Sequence, residues 1–115
     1  MNHKGLEVWK RSIDLVIEIY SLSKKLPSDE KFGLISQLKR SAVSIPSNIA
    51  EGAGRSSTKE LIRFIDIASG SLSELETQLI LVKKLGFYNT NEVVQKDIVI
   101  IRKMFYRLKQ SLSAK

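Results

Sequence analysis

Apolar residues recur at three- and four-residue steps along nearly the whole chain and never in strict alternation, so the pattern is helical throughout. Leu6, Trp9, Ile13, Val16 and Tyr20 form the buried stripe of a first helix spanning about Leu6 to Lys25. Val8, Leu15, Ile19 and Leu22 follow the same rhythm on a neighbouring face. Two stripes exceed what one core contact requires, so part of this helix is expected to face another subunit. Leu26-Pro27 ends it, because a residue before proline is driven out of the α region. Ser28, Asp29 and Glu30 bring cap and first-turn character to the second helix, whose early turns Gly33 makes irregular.

The second helix has Ile35, Leu38, Ala42, Ile45, Ile49 and Ala53 on its core face. Pro46 lies inside that pattern. It cannot donate to the Ala42 carbonyl and its ring crowds that turn, so a kink is expected, with the apolar register continuing past it. Beside the core face, Gln37, Ser41, Ser44, Asn48, Glu51 and Arg55 fall within about 80° of arc. Such short polar groups suit a close approach better than a solvated face does. Gly52 and Gly54 end the helix and the turn GRSS follows.

Ser57 with Glu60 three residues on has capping-box spacing and opens the third helix. Leu61, Ile65, Ala68, Leu72, Leu75, Leu79 and Val82 form its seam. Within it, Ala68-Ser69-Gly70-Ser71 removes nearly all side-chain bulk, which predicts close approach by a neighbour, the Pro46 region being the candidate. The polar stripe then reads either as a hydrogen-bond network that satisfies the carbonyl freed by Pro46, with Glu74 able to join, or as a functional pocket around Asn48, Glu51 and Arg55. Gly86 suits the position after a helix end, and Asn89 or Thr90 can cap the last helix, whose stripe is Val94, Ile98, Ile101, Phe105, Leu108 and Leu112. Four helices with short connections in a 115-residue single domain predict an all-α, antiparallel up-down-up-down four-helix bundle.

Charge narrows the partners. Nineteen Lys and Arg against twelve Asp and Glu give a net charge of +7, which favours a polyanion, and nucleic acid is the commonest. Lys39, Arg40, Arg55, Lys59 and Arg63 group around the second helix and its exit turn, while Lys96, Arg102, Lys103, Arg107 and Lys109 line the last helix. Such groups hold phosphates with little sequence readout, although each taken singly also reads as an ordinary solvating charge. No helix-turn-helix, zinc finger or RNP aromatic pattern points to base-specific reading. Tyr88 and Tyr106 can stack on bases or simply pack.

Catalysis finds little support. The one histidine, His3, lies in an N-terminus expected to fray, and no Glu-x-x-His motif for a di-metal centre exists. Asp14 and Glu18 lie four apart and read as a solvated pair. GAGRSST follows a helix and lacks the Walker pattern. No enzyme activity, cofactor or metal is expected. The absence of cysteine, of a membrane-length apolar run and of a signal-peptide pattern makes a cytoplasmic protein the expectation.

With these residues laid out, the chain resembles the bacterial 23S rRNA-intervening-sequence protein family. The resemblance rests on LEVWKRSIDLV at 6–16, FGLISQLKRSAVSIPSNIAEGAGR at 32–55, KELIRFIDIASGSLSELETQL at 59–79 and KKLGF at 83–87. It implies a left-handed antiparallel bundle and a ring-like homopentamer. The family is also similar to the accessory protein of diversity-generating retroelements, a basic pentameric barrel that works with reverse transcriptase and nucleic acid. The joint expectation is a non-enzymatic homo-oligomer that binds nucleic acid, RNA favoured, through phosphate contacts. The alternative is a ring that recruits a partner protein such as a polymerase.

Overall fold

Pro46 does not end the second helix. In the computed structural model, which describes residues 1–114, α1 (Glu7–Ser23), α2 (Leu34–Ala53), α3 (Thr58–Lys84) and α4 (Val99–Ser113) pack as a four-helix bundle. Pro46 lies within α2 and is buried between the core residues Ile45 and Ile49. The 27 residues of α3, about 40 Å at 1.5 Å each, account for most of the 47 Å long axis.

Pairings along the bundle show how consecutive helices meet. Ser41 faces Gln78, Ser44 faces Ser71, and Gly52 lies against Leu61 and Phe64, so late residues of α2 meet early residues of α3. In the same way Arg102 reaches Ser73 and Glu76 while Lys109 reaches Asp66. Leu6 and Val8 share a groove with Met104 and Leu108, and the Met1 ammonium donates to the Ala53 carbonyl at 3.0 Å. The N-terminal part of α1, the end of α2, the start of α3 and the end of α4 therefore gather at one end of the bundle.

The core on α2 and α3 follows the sequence pattern, with Leu38, Ala42, Ile45 and Ile49 facing Ile65, Ala68, Leu72, Leu75 and Leu79 in one apolar cluster. On α1 the order of the two stripes is reversed. Val8, Leu15, Ile19 and Leu22 are buried, whereas Leu6, Trp9, Ile13 and Val16 are half-buried and Tyr20 is exposed. The seam includes Ser12, buried with its hydroxyl donating to the Trp9 carbonyl at 2.7 Å. A polar letter interrupts this stripe in the sequence, yet its local hydrogen bond makes it a small core residue.

Three other expectations are refined by the structure. The Pro46 region does approach the small-residue patch, Ser44 lying 2.9 Å from Ser71, but not at Gly70, where a Cβ would meet nothing within 4 Å; the glycine that a neighbour crowds is Gly52, whose Cβ would stand 2.6 Å from Phe64 Cβ. Thr90 turns inward, donating to the Leu79 carbonyl at 2.6 Å, while Asn89 Oδ1 accepts from the Asn91 amide. The last helix opens with π-helical turns, Val93–Ile98, ahead of α4. The wider turn puts residues five apart on one face, so Val93 is buried with Ile98 and Val94 is only half-buried.

Two helix ends follow from local chemistry. The Ser57 hydroxyl accepts from the Glu60 amide at 3.1 Å and caps α3, and Gly86 adopts φ of 80° past its C-terminus. The Glu30 carboxylate accepts from the Leu34 amide at the start of α2.

Candidate nucleic-acid interface

The ten basic residues singled out in the sequence occupy three places. Arg55, Lys59 and Arg63 sit at the α2–α3 turn. Arg55 pairs with Glu51 at 3.8 Å and Arg63 with Glu60 at 3.0 Å, and both guanidinium groups lie over the Phe64 ring, at 5.1 and 4.6 Å. The hydrogen bond from Arg63 holds the Glu60 carboxyl below its usual range. Lys39 and Arg40 do not join this group. The thirteen helical steps from Arg40 to the end of α2 at Ala53 alone span about 20 Å along the axis. Lys39 instead lies 4.7 Å from the Tyr20 ring.

On the last helix, Arg102 donates to Glu76 at 2.7 Å and Lys109 pairs with Asp66 at 2.6 Å. Among the described residues Lys59, Lys103 and Arg107 have no carboxylate within 4 Å. Since Asp66 lies one turn beyond Arg63, the Lys109–Asp66 pair brings the end of α4 to the end of the bundle that carries Arg55, Lys59 and Arg63. Lys109 thus shares one end with Arg55, Lys59 and Arg63, whereas Arg102, opposite Ser73 and Glu76, and its neighbour Lys103 stand near the middle of α3. Lys96 stands at the other end, beside Glu18 and Asp97.

Val99, Arg102, Lys103, Tyr106 and Arg107 line a shallow groove of about 490 Å³ along the outer face of α4. Its walls are mostly side-chain carbon. Tyr106 is 64% exposed there and its hydroxyl accepts from Gln110 Nε2 at 2.9 Å.

The polar stripe of α2 divides. Gln37, Arg40, Ser41 and Ser44 meet Glu74 and Gln78 around an open groove of about 410 Å³. The Ser41 hydroxyl lies 2.6 Å from Gln78 Oε1, and Ser44 lies 2.9 Å from the Ser71 hydroxyl. Asn48 Nδ2 donates to the Ser44 carbonyl and hydroxyl at 2.8 and 2.9 Å. Its target is therefore Ser44 and not the Ala42 carbonyl. Glu51 stays outside this network and faces solvent beside Arg55.

One feature was not legible in the sequence. Arg11, Asp14 and Glu18 of α1 share a cleft with Lys96 and Asp97 of the π-helical turns. Burial first, then the charge of Asp97 and a hydrogen bond with it, push the Glu18 carboxyl above its ordinary range; Glu92 adds to this and Lys96 opposes it. Asp14, the expected partner of Glu18, only lines the cleft. Among the described residues no group of three or more His, Asp or Glu side chains is placed to hold a metal ion, and no helix is long and apolar enough to cross a membrane.

Fold and surface define a basic four-helix-bundle protein. The family model for the 23S rRNA-intervening sequence protein matches residues 4–107, and the chain belongs to that family. A crystal structure of a protein with unknown function from the S23 ribosomal protein family of Bacteroides thetaiotaomicron superposes with a TM-score of 0.82 at 26% identity, covering 96% of this chain and 99% of that one. No curated protein matches the chain.

Proposed function

We propose that this protein is a non-enzymatic, cytoplasmic homo-oligomer, a pentamer by family resemblance, that binds nucleic acid, RNA in preference, through phosphate contacts. The support for the proposal is a set of cations, Arg55, Lys59 and Arg63 at one end of the bundle, Lys109 beside them, and Arg107 and Lys103 further along α4, of which Lys59, Lys103 and Arg107 have no carboxylate within 4 Å among the described residues. Cations without internal partners displace the counterions condensed on phosphates with no internal ion pair to break. Assembly is supported by the outer face of α1, where Ile17 is 64% exposed.

Affinity for a structured RNA across a salt series tests this. Log affinity should fall linearly with log salt, and Lys103→Gln or Arg107→Gln should each reduce the slope by about 1. Weak binding even at low salt, or a flat salt response, would sink the proposal.

A ring that recruits a partner protein is the second reading, and Phe32 favours it: this aromatic is 89% exposed in the α1–α2 connection. Charge reversal of Lys103 and Arg107 separates the two. Protein capture that survives reversal, in a chain that never bound RNA, supports the scaffold.

A further inference from the structure

We propose that the outer face of α4 is a stacking site for an unpaired base, so that the preferred ligand is single-stranded nucleic acid or an unpaired loop and not a duplex. The inference rests on the nucleic-acid reading above and adds which form of the polymer the surface takes.

Val99, Arg102, Lys103 and Tyr106 fall at i, i+3, i+4 and i+7, one face of the helix. The core-facing side of the helix carries Ile98, Ile101, Phe105 and Leu112. Tyr106 is therefore not a packing tyrosine. Tyr106 is 64% exposed and lines the groove, and its hydroxyl accepts from Gln110, so the side chain is engaged at its hydroxyl end and remains accessible to solvent. Arg102 forms one wall and is kept in place by Ser73 and Glu76, at 3.1 and 2.7 Å. That pairing leaves Lys103 and Arg107, on either side of Tyr106 in sequence, as the cations available to phosphate.

The mixture selects the occupant. An apolar floor with an aromatic ring offers nothing to a phosphate, and Lys103 and Arg107 offer nothing to an apolar helix. A polynucleotide with exposed bases satisfies both, placing a base face on Tyr106 and neighbouring phosphates on the cations. A duplex keeps its bases stacked inside and reaches only Lys103 and Arg107, leaving Val99 and Tyr106 uncovered. Sequence preference is weak on such a platform, because every base has a π face.

Anisotropy of a labelled single-stranded oligouridine and oligoadenosine, compared with an RNA duplex of equal length, tests the proposal on the full chain. The wild type should prefer the single strands. Tyr106→Ala should weaken them by about fivefold or more and leave the duplex within about twofold, whereas Tyr106→Trp should retain single-strand binding. Lys103→Gln should weaken both forms. If Tyr106→Ala binds single strands as the wild type does while salt-dependent binding persists, the stacking site is overturned and phosphate binding stands. If no RNA binds at low salt, both fall. If light scattering shows that Tyr106→Ala lowers the assembled mass, the face belongs to a second copy of the chain and the stacking site is likewise overturned.

Discussion

Gly52 lies so close to Phe64 that a Cβ on it would stand 2.6 Å from the Phe64 Cβ and 3.3 Å from the Leu61 carbonyl oxygen. The contact closes α2 onto the first turns of α3 and leaves the Phe64 ring to carry Arg55 and Arg63. Glycine is required here for space, since the backbone is helical.

Gly52→Ala should therefore lose about 1–3 kcal/mol from overpacking, although alanine is intrinsically the better helix former. Gly70→Ala, with open space around its Cβ, should gain about 0.5–1 kcal/mol. Urea unfolding of the two variants beside the wild type checks the sign of each.

Asn48→Leu removes the donor to the Ser44 carbonyl and hydroxyl. A loss of about 1–2 kcal/mol is expected, with RNA affinity unchanged in the protein that remains folded. Loss of binding from a folded, normally assembled variant would instead make the α2 stripe a functional surface.

The Glu18 carboxyl titrates above its usual 4.5 in the folded chain. Between 4.5 and that raised value the folded state keeps a proton that the unfolded state has lost, so stability declines as pH rises through the window. Glu18→Gln should abolish the decline: equal to the wild type near pH 3, more stable at pH 7. Thermal melts at both pH values are the measurement, and equal melting at pH 7 would contradict the assignment.

Ile17, 64% exposed on α1, should lie in the contact between copies. Ile17→Glu should lower the assembled mass toward the 13.0 kDa of one chain while the helical circular-dichroism signal stays intact. Unchanged light scattering would place the contact elsewhere.

Much of the bundle is legible in residue order because helical periodicity is a local property. The seams of α2 and α3, the Ser57 cap and the Gly86 turn each follow from residues within a few positions of one another. Two readings changed where side-chain size or helix geometry departed from the simple 3.6-residue pattern. Ser12 counts as core because its hydroxyl is satisfied locally and its small size fits the seam. Val93 displaces Val94 because a wide turn shifts the phase.

The candidate surface divides along the same line. Chain order already contained its ingredients: the excess of positive charge, the basic last helix, and a segment, SIPSNIAEGAGR, within the region that matches the family. Residue order could not tell that Arg102 and Lys109 are held by Glu76 and Asp66, or that Lys103 and Arg107 are not. Nor could it separate a packing tyrosine from the exposed Tyr106. These are facts about which helices meet and which faces stay uncovered. Side-chain periodicity repeats within one helix, whereas pairing of charges and covering of rings depend on residues brought together only when the helices pack.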